Sequence, residues 1–472
     1  MEHITSGRLD FNSTEVQQLA NAVAGPVLVP GDDAYEDECG VYNLNNPLRP
    51  SIVVGATSAR DVQTAIRFAV QRNMPIAVKA TGHQMPVPGD AALLITTSRM
   101  TRVRVDKASR TARVEAGVRW QQLLDESERH GLTALAGSAS DVGVVGYILG
   151  GGQSPVRGRS LGYAADHVRE IQLVTADGEI RTVSARVEAE LFWALRGGKG
   201  NFGVVTAIEI DLFPATGFYG GGLYYAGEHM AEVLQVWSEW VPTLPEEMTS
   251  SVAVQRLPPL PELPDPLRGA FVLHVRIAYL GAPDEAERLI APLRAIADPL
   301  LDDLTERPDR AIGAIHKDPP GPLPYYDRTV SLRELGRETV DALVALTGPD
   351  SGCSLVSVEI RALGGAFDRS PANGNAVPTR GVPFVAFAFG VGGPQDADDL
   401  RGQLNKVFTG LEPWTGERRM VNFLSADEAT TADGMRSVYG ESRYARLATV
   451  KKLYDPANFF RVNHNVRPAE EL

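Results

Sequence analysis

The chain has 472 residues with 46 basic and 59 acidic side chains, a net charge of −13, which argues against nucleic acid or an anionic membrane surface as its main partner. An apolar fraction of 43% with 22% charged residues is typical of a globular protein of two or three domains. Because the sequence contains no apolar run of 18 residues and no signal-like pattern at residues 1–5, we expect a cytoplasmic protein without membrane spans, with Cys39 and Cys353 reduced.

The first half of the chain alternates strands with amphipathic helices. A strand is predicted over 50–54, and Ser58 is expected to cap the next helix with Asp61 three residues on. The following strand, 75–79, completes a β-α-β unit of a covered sheet. Further along, the patterns predict a helix over 120–129, a hairpin over 170–183 and a strand over 204–212.

Composition changes at residues 213–217, where a second region begins that extends to about residue 415. Its long strand candidates lie at 270–279, 355–363 and 384–389, and we count two amphipathic helices among them. This mixture predicts an α+β domain with an antiparallel sheet. The tail returns to a helix after residue 440.

Two familiar motifs occur in the wrong context. Residues 198–203 read G-x-G-x-x-G, but a helical segment precedes them and a strand follows, which is the reverse of a dinucleotide fingerprint. Residues 158–162 read G-x-S-x-G without the buried strand that a nucleophile elbow needs. The eight histidines lie far apart, so we expect no metal site.

Two other segments carry more information. Residues 78–84 end a strand in a turn of small residues that carries His83, and residues 137–152 contain six glycines. Small residues let backbone N–H groups approach an anion closely, as a phosphate requires. Taken singly, either segment is better interpreted as a plain loop.

Together with four further segments in chain order, these two resemble the berberine bridge enzyme-like FAD-linked oxidases of the vanillyl-alcohol-oxidase, or PCMH-type, fold. The similarity is strong over about 50–212 and 440–468 and weak over 216–350. The similar segments are 79–83 (K-A-T-G-H), 142–152 (V-G to L-G-G-G), 162–168 (G-Y-A-A-D-H-V), 191–206 (L-F-W-A-L-R-G-G to N-F-G-V-V-T), 359–366 (E to G-G-A) and 446–465 (R-L to N-H-N).

The resemblance implies an α+β protein in three parts. Residues 1–215 are expected to form a two-lobed FAD-binding domain, and residues 216–415 a substrate domain with a large antiparallel sheet. Residues 416–472 are expected to return to the FAD-binding domain.

The resemblance also implies a set of flavin-binding residues, with His83 bonded covalently to the flavin 8-methyl carbon. The loop from residue 80 to 84 would hold the pyrophosphate, residues 138–152 would pack along the cofactor, Val205 would lie near the adenine or the ring system, and the asparagines would approach from the C-terminal side. The full expected set is Lys79, Ala80, Thr81, Gly82, His83, Gln84, Ser138, Ala139, Val142, Gly143, Gly146, Gly150, Gly151, Val205, Asn463 and Asn465.

The sequence departs from the family at several positions. Ala139 stands where many relatives carry a second flavin-linking cysteine, so we expect a single histidyl bond. Val142 stands at the oxygen-access position, where a valine is compatible with an oxidase. Met420 replaces a common tyrosine, and Thr379-Arg380 replaces an H-R pair, which weakens the case for the sugar-oxidase mechanism.

The substrate base is expected on a polar strand face. Substrate oxidation needs a proton acceptor near the carbon that loses hydride. Glu359 is the first candidate, with Arg361 on the same face as its modulator, and Tyr439 is the second. The alternative is that Glu359 and Arg361 form a structural ion pair.

The resemblance therefore implies an FAD-dependent oxidase that removes a hydride from an alcohol, an amine or an activated C–H and passes electrons to O2, giving H2O2. A tailoring step in secondary metabolism is the expected setting. A carbohydrate or oligosaccharide oxidase is the first alternative, and a non-redox flavoprotein cyclase is the second. The expected partners are a small organic molecule and O2, with the protein a monomer or homodimer.

Overall fold

The protein is described by a computed structural model that covers residues 13–319 and 321–470. Residues 1–5, on which the predicted cytoplasmic location rests, lie outside the described part. The described residues form helices and four β-sheets, one of them large and antiparallel, and so confirm the α+β class. Within these ranges, no helix combines the length and the apolar character that crossing a bilayer requires.

The first sheet has four strands in the order β1-β2-β4-β3. These are β1 (Val27–Leu28), β2 (Ile52–Gly55), β3 (Ile76–Lys79) and β4 (Leu93–Thr96), accompanied by helices α1 (Ser13–Ala22), α2 (Tyr35–Cys39) and α3 (Ala59–Gln71). The Ser58 hydroxyl accepts the N–H of Asp61 at 3.2 Å, which confirms the predicted cap. The β-α-β unit is also confirmed, with β4 lying parallel between its two strands.

The second sheet is antiparallel, in the order β5-β6-β10-β8-β9. Its strands are β5 (Val103–Asp106), β6 (Thr111–Glu115), β8 (Val168–Val174), β9 (Ile180–Ser184) and β10 (Val204–Asp211). A separate short sheet pairs β7 (Leu132–Thr133) with β11 (Phe213–Pro214). The helices in this part of the chain are α4 (Trp120–Glu128), α5 (Val144–Leu149), α6 (Gly158–Leu161) and α7 (Ala189–Leu195). The predicted hairpin is the β8–β9 pair.

The third large sheet is antiparallel and has β15, β12, β14, β13, β18, β19 and β17 side by side, with β16 on β12. The strands are β12 (Phe218–Ala226), β13 (Met248–Arg256), β14 (Phe271–Tyr279), β15 (Leu301–Asp302), β16 (Thr305–Arg307), β17 (Tyr325–Leu332), β18 (Ser357–Ala362) and β19 (Phe384–Val391), and the helices are α8 (Met230–Trp240), α9 (Pro283–Arg294), α10 (Gly313–His316), α11 (Arg337–Thr347) and α12 (Ala397–Gly410). The sequence had indicated two amphipathic helices here, whereas the described part holds four of eleven residues or more.

Those four helices cover one face of the large sheet. Leu234, Ile290, Leu343 and Leu404, one from each helix, pack in a single apolar cluster with strand residues such as Ile360. Because side chains alternate along a strand, the neighbours of Ile360 project from the opposite face. That uncovered face is polar and aromatic, and part of it lines the cavity described below.

The C-terminal segment packs back against the first two sheets. Helices α13 (Ala432–Tyr439) and α14 (Glu441–Tyr454) follow each other, and α14 contacts α7. Phe459 and Phe460 then join the apolar cluster of the first sheet. The N–H of Ile76 donates to the Phe459 carbonyl at 2.8 Å, which ties the tail to the start of β3.

Candidate active site

A cavity of about 370 Å³ lies between the first two sheets and the uncovered face of the large sheet. Its wall is built from the loop after β3, from residues 137–147, from residues 422–426 and from side chains of β17, β18 and β19. Three distant parts of the chain therefore converge on one concave site. Such a site, mostly apolar with a few polar groups, is the usual form of a ligand pocket.

His83 is fixed by a stacked ring and by a hydrogen bond at one of its two ring nitrogens. Its ring stacks on that of Tyr42, with centroids 4.3 Å apart and planes 18° from parallel. Nδ1 lies 2.9 Å from the Thr81 hydroxyl, which itself accepts the N–H of Gly143 at 3.3 Å. The Thr81 proton is therefore available to Nδ1, which favours the tautomer with its hydrogen on Nε2.

The Nε2 atom of His83 is buried and has no hydrogen-bond partner among the described residues. The nearest acidic group is the carboxylate of Asp141, whose Oδ2 lies 3.6 Å away. The neighbouring imidazole holds the pKa of Asp141 below its usual value. His83 thus presents an oriented nitrogen beside a carboxylate that stays ionised.

The glycine-containing segment forms the wall next to His83. Helix α5 begins directly after Gly143, and the Trp120 and Val144 N–H groups anchor the turn by donating to the carbonyls of Val142 and Val118. A methyl group added at Gly146 would meet no protein atom within 4 Å. The helix therefore leaves open space at this position on the cavity wall.

Residues 421–426 close the cavity from the C-terminal side. The Asn422 amide donates to the Tyr147 carbonyl and accepts from Lys199 Nζ, each at 2.9 Å. Gln84 Nε2 donates to the carbonyls of Val421 and Leu424, both at 2.9 Å. Burial lowers the pKa of Lys199 to about 8. The sequence offered little sign of Asn422 or Lys199, since the first lies two residues after an atypical Met420 and the second lies in the discarded G-x-G-x-x-G motif.

Most of the expected flavin-binding residues lie together on this wall. Those that do are Lys79, Ala80, Thr81, Gly82, His83, Gln84, Ser138, Ala139, Val142, Gly143 and Gly146. The remaining five, Gly150, Gly151, Val205, Asn463 and Asn465, do not line the cavity.

Those five residues have other surroundings. A Cβ at Gly150 would lie 1.9 Å from the Asn422 amide oxygen, so this glycine permits the close approach of Asn422 to α5. Gly151 has a φ of +109°, and Val205 is buried in the apolar core. The side-chain oxygens of Asn463 and Asn465 are buried without a partner among the described residues.

The two candidate bases lie elsewhere. Glu359 is buried in an ion cluster, 2.6 Å from Arg276, 2.9 Å from Arg361 and 3.2 Å from His316. Burial opposes its ionisation, but the two guanidinium groups outweigh burial and hold the pKa of Glu359 well below its usual value. A carboxylate so stabilised is a poor proton acceptor, so the geometry supports the alternative of a structural Glu–Arg pair.

Tyr439 is fully buried, and its hydroxyl donates to the Gly197 carbonyl at 2.9 Å. Burial raises the pKa of this phenol well above its ordinary value. Neither Tyr439 nor Glu359 contributes to the cavity wall. A role as base is therefore not supported for either residue, because the side chain of each is engaged away from the cavity wall.

Comparison with known proteins supports a flavoprotein. The family model described as "FAD binding domain" matches residues 50–184, and the one described as "Berberine and berberine like" matches residues 421–467. The chain is 28% identical to (R)-6-hydroxynicotine oxidase of Paenarthrobacter nicotinovorans over 472 residues, which cover 95% of this chain and 97% of that protein.

Two solved structures share the whole architecture. The 6-hydroxy-D-nicotine oxidase from Arthrobacter nicotinovorans superposes with a TM-score of 0.81 at 25% identity, covering 95% of this chain and 98% of that one. BBE-like 1 of Physcomitrella patens gives a TM-score of 0.83 at 20% identity, covering 98% and 100% of the two chains. The second likeness concerns the fold alone.

Proposed function

This chain belongs to the berberine bridge enzyme-like FAD-linked oxidoreductases of the PCMH-type fold, and from that premise we propose that it holds FAD through one covalent bond to His83 and oxidises a small organic molecule at the expense of O2. In its three-part division, residues 1–215 and 416–472 serve the cofactor and residues 216–415 serve the substrate. Hydride is removed from an alcohol, an amine or an activated C–H, and the products include H2O2.

The residues present fit an FAD molecule. His83 Nε2 and the Tyr147 hydroxyl lie on the cavity wall and are buried polar atoms without a partner among the described residues, which is costly unless a ligand supplies one. Gly146 leaves room on the same wall. FAD, when bound, supplies the acceptor for the substrate hydride.

The orientation of His83 is the single observation that carries the covalent bond. The Thr81 hydroxyl and the Tyr42 ring hold the imidazole still, and Asp141 lies where it would take the proton that Nε2 loses on forming the bond. The 8-methyl carbon would lose one C–H bond in the same reaction, and the two electrons released would pass to the flavin and from there to O2. Holding a nucleophile and its base in this geometry removes much of the entropic cost of bond formation.

The described site contains no cysteine that could form a second covalent bond to the flavin. Ala139 stands on the cavity wall where the family often carries cysteine. Cys39 lies in the small apolar cluster of the first sheet, where burial raises the pKa of its thiol to about 11. Cys353 lies in the core beneath the large sheet. We therefore infer a single histidyl bond.

The other wall residues orient ligands and exclude water. Phe387, Phe389 and Phe423 give the sheet side of the cavity an apolar surface, and Arg361 projects there while Glu359 holds its guanidinium. Val142 supports the use of O2, since a small side chain on the wall leaves space for it. An aromatic wall suits a hydrophobic donor better than a sugar, so we favour such a donor over the carbohydrate alternative.

The test is anaerobic mixing of purified enzyme with amines, alcohols and sugars, followed by admission of air. We expect the flavin absorbance to bleach with a hydrophobic donor and to return in air with one H2O2 per flavin. Bleaching by sugars alone would support the carbohydrate alternative. Chemically reduced enzyme that stays bleached in air would refute oxidase function, whatever the donor.

A further inference from the structure

Asp327 is a carboxylate on the cavity wall for which the activity described above gives no role. It lies on β17, two residues after Tyr325, and both side chains line the cavity from the same face of the sheet. In the pairing of β17 with β19, Asp327 lies directly opposite Phe389, which also lines the cavity. The carboxylate is therefore set among aromatic rings and half-buried.

The described residues supply no cation to this carboxylate. Within the described part of the chain Asp327 forms no ion pair, and the adjacent Arg328 pairs with Asp427 and Glu428 instead, at 3.8 and 3.9 Å. Those two acids lie close enough to Asp327 to act on it, and the Ser425 hydroxyl donates its hydrogen bond to Asp427. Burial first, and then the neighbouring acids, raise the pKa of Asp327 to about 7.

The cations elsewhere on the wall are already engaged. Lys79 Nζ donates to the Gly40 carbonyl at 2.8 Å, and Lys199 Nζ to Asn422 at 2.9 Å. The Arg361 guanidinium is held by the carboxylate of Glu359 at 2.9 Å. A positive charge that reaches Asp327 must therefore come with a ligand, because a buried carboxylate is stabilised chiefly by a paired cation.

Aromatic rings continue from Asp327 along the wall. Tyr325 and Phe389 have centroids 6.5 Å apart, Phe389 and Phe387 6.0 Å, and Phe387 and Phe423 5.1 Å. The faces of aromatic rings attract organic cations, and they also shield the apolar groups of such cations from water. A lone carboxylate next to such a wall is the arrangement that recognises an ammonium group attached to an apolar body.

We propose that Asp327 binds the ammonium group of a cationic amine, whose apolar part lies on Tyr325, Phe389 and Phe387. The amine is the molecule that the enzyme oxidises, so this assignment of substrate class rests on the proposed function. An alcohol or a sugar has no charge to offset this half-buried carboxylate. Asp327 is thus a specificity-determining residue.

The test uses the holoenzyme and two probes of equal shape, benzyltrimethylammonium and its neutral isostere neopentylbenzene, titrated by calorimetry. We expect the cation to bind at least about tenfold more tightly, a difference of about 1.4 kcal/mol. Asp327→Asn should remove that preference and leave the neutral probe within about twofold, since the amide keeps the shape. Asp318→Asn, a matched change at an exposed carboxylate on the rim, should keep the preference.

Equal binding of the two probes by the unaltered enzyme would overturn the proposal even if Asp327→Asn failed to fold. An equal loss of preference in Asp318→Asn would overturn it too, because the effect would then be one of diffuse charge. The flavin content of the same samples separates the two claims. Colourless protein refutes the proposed function, whereas yellow protein without a preference for the cation refutes only the role of Asp327.

Discussion

Replacing Lys451 by methionine tests how the C-terminal segment is held against the flavin-binding sheets. The side chains of Lys451 and Asp455 are both 0% exposed, with 2.6 Å between Nζ and Oδ2. Nζ also donates to the carbonyls of Asn201 at 2.7 Å and Phe460 at 3.0 Å. Methionine has similar length and no charge, so the variant leaves one buried carboxylate without its cation and two carbonyls without their donor.

Breaking a buried ion pair from one side costs about 3–5 kcal/mol. In a cooperative unit of this size, each kcal/mol lowers the melting temperature by about 2 °C, so we expect a decrease of about 6–10 °C. Thermal unfolding of the holoprotein followed by circular dichroism measures it. Lys452→Met makes the same chemical change at the next, exposed residue and should shift the midpoint by no more than about 1 °C.

The double variant Lys451→Met with Asp455→Asn should recover part of the loss, because the unpaired charge is removed while the amide oxygen still accepts from one of the two N–H groups, those of Phe459 and Phe460, that the carboxylate accepted. A midpoint for Lys451→Met within about 2 °C of the unaltered protein would refute the reasoning, since the ion pair would then stabilise the tail by only about 1 kcal/mol.

Three further variants test other parts of the account. Burial lowers the pKa of His464 to about 4, so between about pH 6.5 and 4 the unfolded chain binds more protons than the folded one, and the free energy of unfolding falls as the pH falls through that range. His464→Gln removes this contribution, so its free energy of unfolding should fall by about 2 kcal/mol less than that of the unaltered protein between pH 7 and 5, as measured by denaturant titration. Gly146→Ala in a His83→Ala background should weaken FAD binding about 5- to 150-fold by filling cavity space, whereas Gly402→Ala, in an open position on α12, should not. Val142→Ile should slow reoxidation of the reduced enzyme by O2 at least about tenfold in stopped flow, with anaerobic reduction unchanged; equal reoxidation rates would show that Val142 does not control oxygen access.

Local features of the fold could be predicted from the sequence. The Ser58 cap, the β8–β9 hairpin and the turn after β3 depend on residues a few positions apart. Their sequence patterns can therefore be recognised without the tertiary structure. The prediction that His83 lies beside residues 139–146 depended on the resemblance. The two segments are about sixty residues apart, and neither sequence by itself indicates a contact with the other.

The sheet side of the site could not be predicted in the same way. Glu359 drew attention by its polar strand face, but its partners Arg276 and His316 come from distant segments, and they turn the expected base into a buried ion pair. Asp327 shows no motif in the sequence. Its importance follows from the pairing of β17 with β19, which sets it opposite Phe389, and that register is a property of the whole sheet.

The most direct test of the covalent histidyl flavin is to denature the purified holoprotein in acid, separate it from free cofactor, and digest the pellet for mass spectrometry. We predict that the yellow colour stays with the polypeptide, that one flavin is found on the peptide containing His83, and that His83→Ala releases all of the flavin into the supernatant. Flavin released from the unaltered protein, or found attached to any other residue, would contradict the account.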